Sequence, residues 1–504
     1  MTASQDRISL FTLSFAAITA TSFCFVLRAL VVDSWGEEFA LSATQKGELL
    51  GAGLWPFALA IVILSLFIDR IGFRAGLVFA ALMHFAGLAV LVTAASYWML
   101  YLGTFLMALG NGAVEVVANP LIATLFSEDR PRWLNRLHAA WPGGMILGGL
   151  LAIAMGDQFG WRAKTALMFV PVLIYAILLL RQRFPMSERV AAGIPYHAMI
   201  AEAGWMSAFI VTGLMTLEIG RVLGLSPLAQ GIMVAVATCA FGLWSRSAGR
   251  PLYIVLVLLM IPLAITELST DSWISSLLAP ELGRIGFHSG WVLVLTAAVV
   301  FLVRLLAGSV IAIFGPFLTL ALASGASAAG LYTLAGAHGA GIVGAAILYG
   351  IGKSFFWGTS LAIVSDRFPR GGAVTINVTA GVGMLAAGIV GSVLLGAVQD
   401  RSTTAALSVY DSRNATSLHQ RYTEERPASI LGRYRALDEA ALAAAPASER
   451  ATVTTIVENS KLAALRDVAL LPVLTMCAYL ALALIYRRRR DAAPVGPLSQ
   501  GTSH

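Results

Sequence analysis

Glu115 is a lone carboxylate near the middle of the apolar stretch Leu109 to Phe126, LGNGAVEVVANPLIATLF. A charged side chain at bilayer depth costs roughly 2.5–3.5 kcal/mol on insertion scales, so it persists where it faces a bundle interior or a wet cavity. There a carboxylate can accept hydrogen bonds from hydroxyls or exchange a proton. Burial disfavours its anion and a neighbouring cation favours it, so a motion that separates the two would let the group bind and release a proton. Asn111 and Asn119 stand four residues to either side, which predicts a polar ladder on one helical face. A second ladder, Tyr349, Lys353 and Trp357, lies in YGIGKSFFWGTSLAIVSDRFPR and is basic at its centre.

Other deep charges extend the set. Arg28, Glu267, Asp271, Arg304 and Lys353 all fall within apolar runs, with His138 beside Trp141. Three cations in or near one cavity could hold a carboxylate or phosphate, or could pair with Glu115, Glu267 and Asp271 and leave the cavity almost neutral. Glu267 and Asp271 are one turn apart and would share a proton if both faced the cavity. Trp141, Trp273 and Trp357, with Asn119, Asn377 and Glu115, offer the mixture of aromatic platforms and hydrogen-bond partners that a sugar ring needs. Trp273 could equally be an interfacial anchor.

The elements that position these groups must span a membrane. Of 504 residues, 58% are hydrophobic and 12% charged, and the mean hydropathy is +0.80, which excludes a soluble globular domain. The formal charge of +7 does not indicate nucleic acid, because the basic residues sit in short loops and at the tail Arg487 to Arg490. Cys24, Cys239 and Cys477 each lie inside an apolar run and read as small fillers. The first apolar run lacks a cleavage-site pattern and should remain as a signal anchor.

At about 20 apolar residues per span, helices are predicted near 8–32, 44–68, 76–96, 98–126, 134–156, 163–181, 203–222, 227–244, 251–277, 290–314, 316–335, 340–365, 373–398 and 467–486. Arg70, Arg74, Arg130, Arg132, Arg181, Arg183, Arg246, Arg250, Arg367 and Arg370 then fall on one side, predicting both termini in the cytoplasm. The pair LGNGAVEVVANP and HAAWPGGMILGG corresponds to YGIGKSFFWGTS and NVTAGVGMLAAG, with eight spans between the copies. A duplication of six would leave six, so two helices are inserted, 203–222 and 227–244. The expected fold class is an all-α polytopic membrane protein. It has an N-terminal six-helix bundle over 1–181, a linker and inserted hairpin over 182–250, a C-terminal six-helix bundle over 251–486 and a cytoplasmic tail over 487–504. Within the third part, residues 400–466 lack a spanning run and should form a helical extracytoplasmic cap.

Core helices three, six, nine and twelve hold one ionisable interior residue, His84, whereas one, four, seven and ten hold Arg28, Glu115, Glu267, Asp271 and Lys353. This distribution resembles the major facilitator superfamily, in which helices one, four, seven and ten line a central cavity and three, six, nine and twelve face lipid. FIDRIGFRAG is similar to that family's gating loop through Asp69, Arg70, Gly72 and Arg74, and departs from it at Ser65 and Phe73. VEVVANP is similar to a stretch of fucose-permease-like sugar:proton symporters, which would make Glu115 the acceptor of proton and sugar hydroxyl. RWLNRLHAAWPGG resembles the following helix of that branch, placing His138 and Trp141 against the cavity. Those permeases carry an acidic residue on helix one where this chain has Arg28.

The resemblance implies a secondary active transporter that moves a sugar or sugar acid by proton-coupled alternating access, with a multidrug or organic-anion antiporter as the alternative. The implied partners are a small-molecule substrate, protons and the lipid bilayer, with no nucleic acid, and the implied state is a monomer in a bacterial-type inner membrane. No cofactor and no metal site is expected. An enzyme is not expected either, since the sequence has no phosphate loop, metal-ligand cluster or nucleophile elbow.

Overall fold

The computed structural model describes residues 3–126, 133, 136–156, 158–185, 196–429 and 432–487. Thirteen of its helices are long and apolar enough to cross a membrane, and a pair bent by 62° between Arg304 and Leu306 makes fourteen. We number these α1 to α14. The first six are α1 (Ala3–Phe39), α2 (Ala43–Gly51 and Trp55–Ile71), α3 (Phe73–Val92), α4 (Tyr97–Leu125), α5 (Ala140–Met155) and α6 (Trp161–Ala166 and Phe169–Leu179). The inserted pair is α7 (Tyr196–Leu223) and α8 (Pro227–Ser245). The last six are α9 (Pro251–Arg284), α10 (Trp291–Phe314), α11 (Pro316–Leu334), α12 (Gly341–Lys353 and Phe356–Arg367), α13 (Gly372–Asn414) and α14 (Ala463–Val468 and Leu470–Arg487).

Neighbour relations repeat with an offset of six core helices. Helix α3 packs on α4 and α6, and α11 packs on α12 and α14; α1 packs on α5, and α9 on α13; α2 packs on α4, and α10 on α12. Between the two sets, α2 lies along α13 and α5 along α10. The lipid-facing stripes follow from composition, since α3 and α6 place residues such as Leu82, Val170 and Ile177 outward while Leu77, Leu88 and Val172 face in.

Two helices change pitch at their centres. Ile265–Ser269 in α9 and Ala386–Gly391 in α13 are π-helical, and they face each other, with the Ser269 hydroxyl donating to the Ala387 carbonyl at 2.9 Å. Such segments are rare and turn side chains off the regular helical stripe, often at functional sites. Glu267 sits in the first of them.

Helix α7 packs on α8, on the Gly372–Leu385 part of α13 and on residues of α2 and α4, so one helix of the inserted hairpin touches both halves of the core. Ser245 is the one residue of α8 fully withdrawn from the surface, which leaves α8 facing lipid.

Residues 400–466 depart from the all-helical expectation. Helix α13 runs on to Asn414, and Thr423–Ser429 (β1) pairs antiparallel with Gly432–Leu437 (β2) between short helices at Leu418–Tyr422, Glu439–Ala443 and Ala447–Lys461. Leu407, Leu418, Tyr422, Leu437 and Val453 make a small core of their own. The cap is seated on the loop before α2, where the Tyr434 hydroxyl lies 3.0 Å from Ser42 Oγ. Burial pushes that phenol up to about 12. We call this the capped end of the molecule.

Candidate functional site

The deep charges sort into pairs and orphans. Lys353 on α12 donates to Asp271 Oδ1 on α9, and the Tyr349 hydroxyl, one turn earlier on α12, reaches the same oxygen at 3.3 Å. Arg304 on α10 lies 3.3 Å from Glu267 Oε1. Both pairs lie in the last six helices, and all four charged groups line one narrow cavity with Trp141 and Met145 of α5. Glu267 and Asp271 therefore each have their own cation. The cavity volume is about 10 Å³, room for one water, so the site is closed around its charges.

Glu115 has a different environment. It is half-buried on α4, its Oε2 accepts from Asn119 Nδ2 at 2.9 Å, and no cation lies within ion-pair distance among the described residues. Asn111 takes a different partner from the one the ladder implies: its Oδ1 meets His84 Nε2 at 2.9 Å, and His84 Nδ1 meets the Tyr175 hydroxyl at 2.7 Å, all three buried between α3, α4 and α6. The ladder on α4 thus divides into a structural end and a free end. A histidine inside a lipid-facing core helix is the sequence signal for the structural end.

Arg28 is the second orphan. It is 2% exposed on α1, and its Nε and Nη2 have no hydrogen-bond partner among the described residues. Phe25 bridges it to the cavity wall, with its ring 5.6 Å from the guanidinium carbon and 5.9 Å from the Trp141 ring.

The remaining candidates are spread around these groups. His138 lies within electrostatic reach of Arg304. Trp357 is half-buried on α12 and packs against the core. Asn377 donates to Ser65 Oγ at 3.0 Å, tying α13 to α2. Trp273 is fully buried and donates to the Ser392 carbonyl at 3.0 Å, so it is no interfacial anchor. In the loop between α2 and α3, Gly72 adopts φ +82°, a turn that favours glycine, and Arg74 is exposed. The side chains of Asp69 and Arg70 lie outside the described residues, as do Arg130 and Arg132. Among the described residues, no group of three or more His, Cys, Asp and Glu could hold a metal ion.

Sequence reasoning missed two clusters. At the capped end, Asp33 of α1 accepts from Lys46 of α2 at 3.1 Å and from Ser276 of α9 at 2.7 Å, and Asp400 of α13 accepts from Thr44. On the hairpin side, Arg221 of α7 lies 3.3 Å from Glu48 and 2.7 Å from Glu218, with Tyr97 donating to Glu48 at 2.7 Å and Tyr101 donating to Glu218. The i,i+3 pair Glu218 and Arg221 near the end of an apolar helix was the available signal.

A family profile described as Major Facilitator Superfamily matches residues 10–280. Over 130 residues the chain is 29% identical to the class E tetracycline resistance protein of Escherichia coli, covering 25% of this chain and 29% of that one. Over 173 residues it is 26% identical to the cis,cis-muconate transport protein of Acinetobacter baylyi, covering 33% and 41%. The chain thus aligns with less than half the length of either relative. A bacterial homolog of the human lysosomal transporter Spinster, inward-facing and unoccupied, has a similar structure, with TM-score 0.62, 14% identity, and coverage of 97% of this chain and 99% of that one. The xylose transporter of E. coli in an inward-open conformation gives TM-score 0.56 at 17% identity, covering 77% and 89%.

Proposed function

The chain belongs to the major facilitator superfamily, whose members are transporters rather than enzymes, and from that premise we propose that it moves a small polar solute, a sugar or sugar acid, by proton-coupled alternating access. The observation that carries the reading is the contrast between Glu115 and the other deep carboxylates. Glu267 and Asp271 each hold a cation, whereas Glu115 has an amide for a partner and can become neutral by taking up a proton. Glu115 is the proton carrier in this reading.

Each half of the core then moves as a unit, over 1–181 and 251–486, about the closed cavity between them, while 182–250 carries the hairpin. The arginine-rich loops lie in the cytoplasm, the capped end outside, and the membrane is a bacterial-type inner membrane. Asp69, Arg70 and Arg74 form the cytoplasmic latch opposite the capped end. Trp141 and Trp357 supply apolar platforms, and Asn119, His138 and Asn377 supply polar partners for the solute's hydroxyls when the cavity opens.

The similarity of a 130-residue stretch to a tetracycline resistance protein keeps an antiporter as the second reading. Uptake by proteoliposomes separates the two. With acid outside, labelled D-xylose, D-gluconate, cis,cis-muconate and tetracycline are offered in turn. Symport predicts accumulation of a sugar or sugar acid above protein-free vesicles, driven by the inward proton gradient. Accumulation of tetracycline only, driven by the opposite gradient, would replace symport by antiport.

A further inference from the structure

We infer that Arg28 anchors a carboxylate of the transported solute, so that the cargo is a small organic anion such as a sugar acid and not a neutral sugar. This rests on the transport reading above and narrows its substrate class. Leaving a buried charge without a partner costs several kcal/mol, so a buried guanidinium normally keeps a counter-charge. Among the described residues, four other cations at helix interfaces have one: Lys353 has Asp271, Arg304 has Glu267, Lys46 has Asp33, and Arg221 has Glu48 and Glu218. Arg28 has none among the described residues, and two of its three nitrogens lack any hydrogen-bond partner there.

The backbone is shaped around this group. Helix α2 is interrupted at residues 52–54, and the guanidinium fills the space where Gly53 has no side chain: a Cβ there would lie 1.7 Å from Nη1 and 2.0 Å from Cζ. The charge is thus held in one place, with an aromatic ring on its cavity side. Arg28 does not itself line the cavity, and the packed rings of Phe25 and Trp141 connect it to the cavity wall. Because the acidic groups lining that cavity are already matched by Lys353 and Arg304, Arg28 is the cation left to receive an incoming anion. A planar guanidinium presents two parallel N–H donors to a carboxylate, a geometry that a hydroxyl cannot reproduce. A proton on Glu115 would travel with that anion, and one of each would cross together without net charge.

The test is binding to the purified full-length protein in detergent, by calorimetry and by thermal unfolding, with D-gluconate, cis,cis-muconate, D-glucose and chloride as the probes. The expected result is that at least one carboxylate binds and raises the unfolding temperature, that glucose does neither, and that Arg28→Gln weakens carboxylate binding at least tenfold. Gly53→Ala keeps the arginine but displaces it, and should weaken binding similarly, which guards against an Arg28→Gln variant that does not fold. Glucose binding in the absence of any carboxylate binding would overturn the inference while leaving the transport reading intact. Chloride that stabilises the wild type without competing with a carboxylate would make Arg28 a structural ion site and overturn it too. Arg28→Gln with carboxylate affinity within twofold of wild type would do the same. If none of the panel is either bound or transported, it is the sugar or sugar-acid reading itself that fails.

Discussion

Asp400 accepts two hydrogen bonds from Thr44, at 2.9 Å from its backbone N–H and 2.5 Å from its hydroxyl. Asp400 belongs to the last six core helices and Thr44 to the first six, so this contact bridges the two halves. It also sets a carboxylate at the N-terminus of the helix Ala43–Gly51, where the helix dipole favours a negative charge. The Asp33–Ser276 bond closes the same end between α1 and α9. Together they hold the capped end shut.

Asp400→Ala should therefore open that end. Losing hydrogen bonds to a charged group is worth about 1.5–3 kcal/mol, roughly a 10- to 150-fold shift in the closed-to-open ratio. A cysteine placed at the neighbouring buried Ser275, which leaves the Asp33–Ser276 bond intact, in a background lacking Cys24, Cys239 and Cys477, reads this as faster labelling by an impermeant maleimide added at the capped side. Unchanged labelling would mean that the contact does not hold the end closed.

Much of this architecture was legible in the chain, and the parts that were not have a common cause. The fourteen spans, the insertion and the deep charges followed from apolar length and from the cost of charge in hydrocarbon. Which cation meets which carboxylate did not follow, because Lys353 and Asp271 are far apart in sequence and meet only through helix packing. Asp33, Glu48 and Asp400 lie at or just beyond the ends of the predicted spans, where a charge costs little if exposed, and only the tertiary contacts bury Glu48 and Asp400. The β-hairpin in the cap was hidden because Pro427 within β1 argues against a strand and the flanking segments have helix-forming composition.

The ion pairs lining the cavity should behave as units. Lys353→Met leaves Asp271 buried and unpaired, a change that typically costs about 3–5 kcal/mol, whereas the double change with Asp271→Leu removes both charges and can be nearly neutral. Thermal unfolding in detergent should show the single variant melting well below both the wild type and the double variant. Additive losses would mean that the pair is not coupled.

The inserted hairpin should depend on Arg221. Its guanidinium meets Glu48 and Glu218 together, and a lysine cannot reproduce that planar fork. Arg221→Lys and Arg221→Ala should both loosen α7 from the core, seen as faster amide hydrogen exchange over 205–223 with little change in α11 and α14. Exchange unchanged in α7 would assign the docking to its apolar contacts alone.

The most direct test of proton coupling is Glu115→Gln, which keeps the shape of the side chain and fixes it in a neutral form. In proteoliposomes, with whichever of D-xylose, D-gluconate or cis,cis-muconate the wild type carries, the variant should exchange labelled for unlabelled solute across the membrane at a rate near that of wild type. It should no longer concentrate that solute when an inward proton gradient is imposed. A Glu115→Gln protein that still accumulates solute against its gradient under an imposed proton gradient would contradict the assignment, and the coupling would then belong to the Glu267 and Asp271 region.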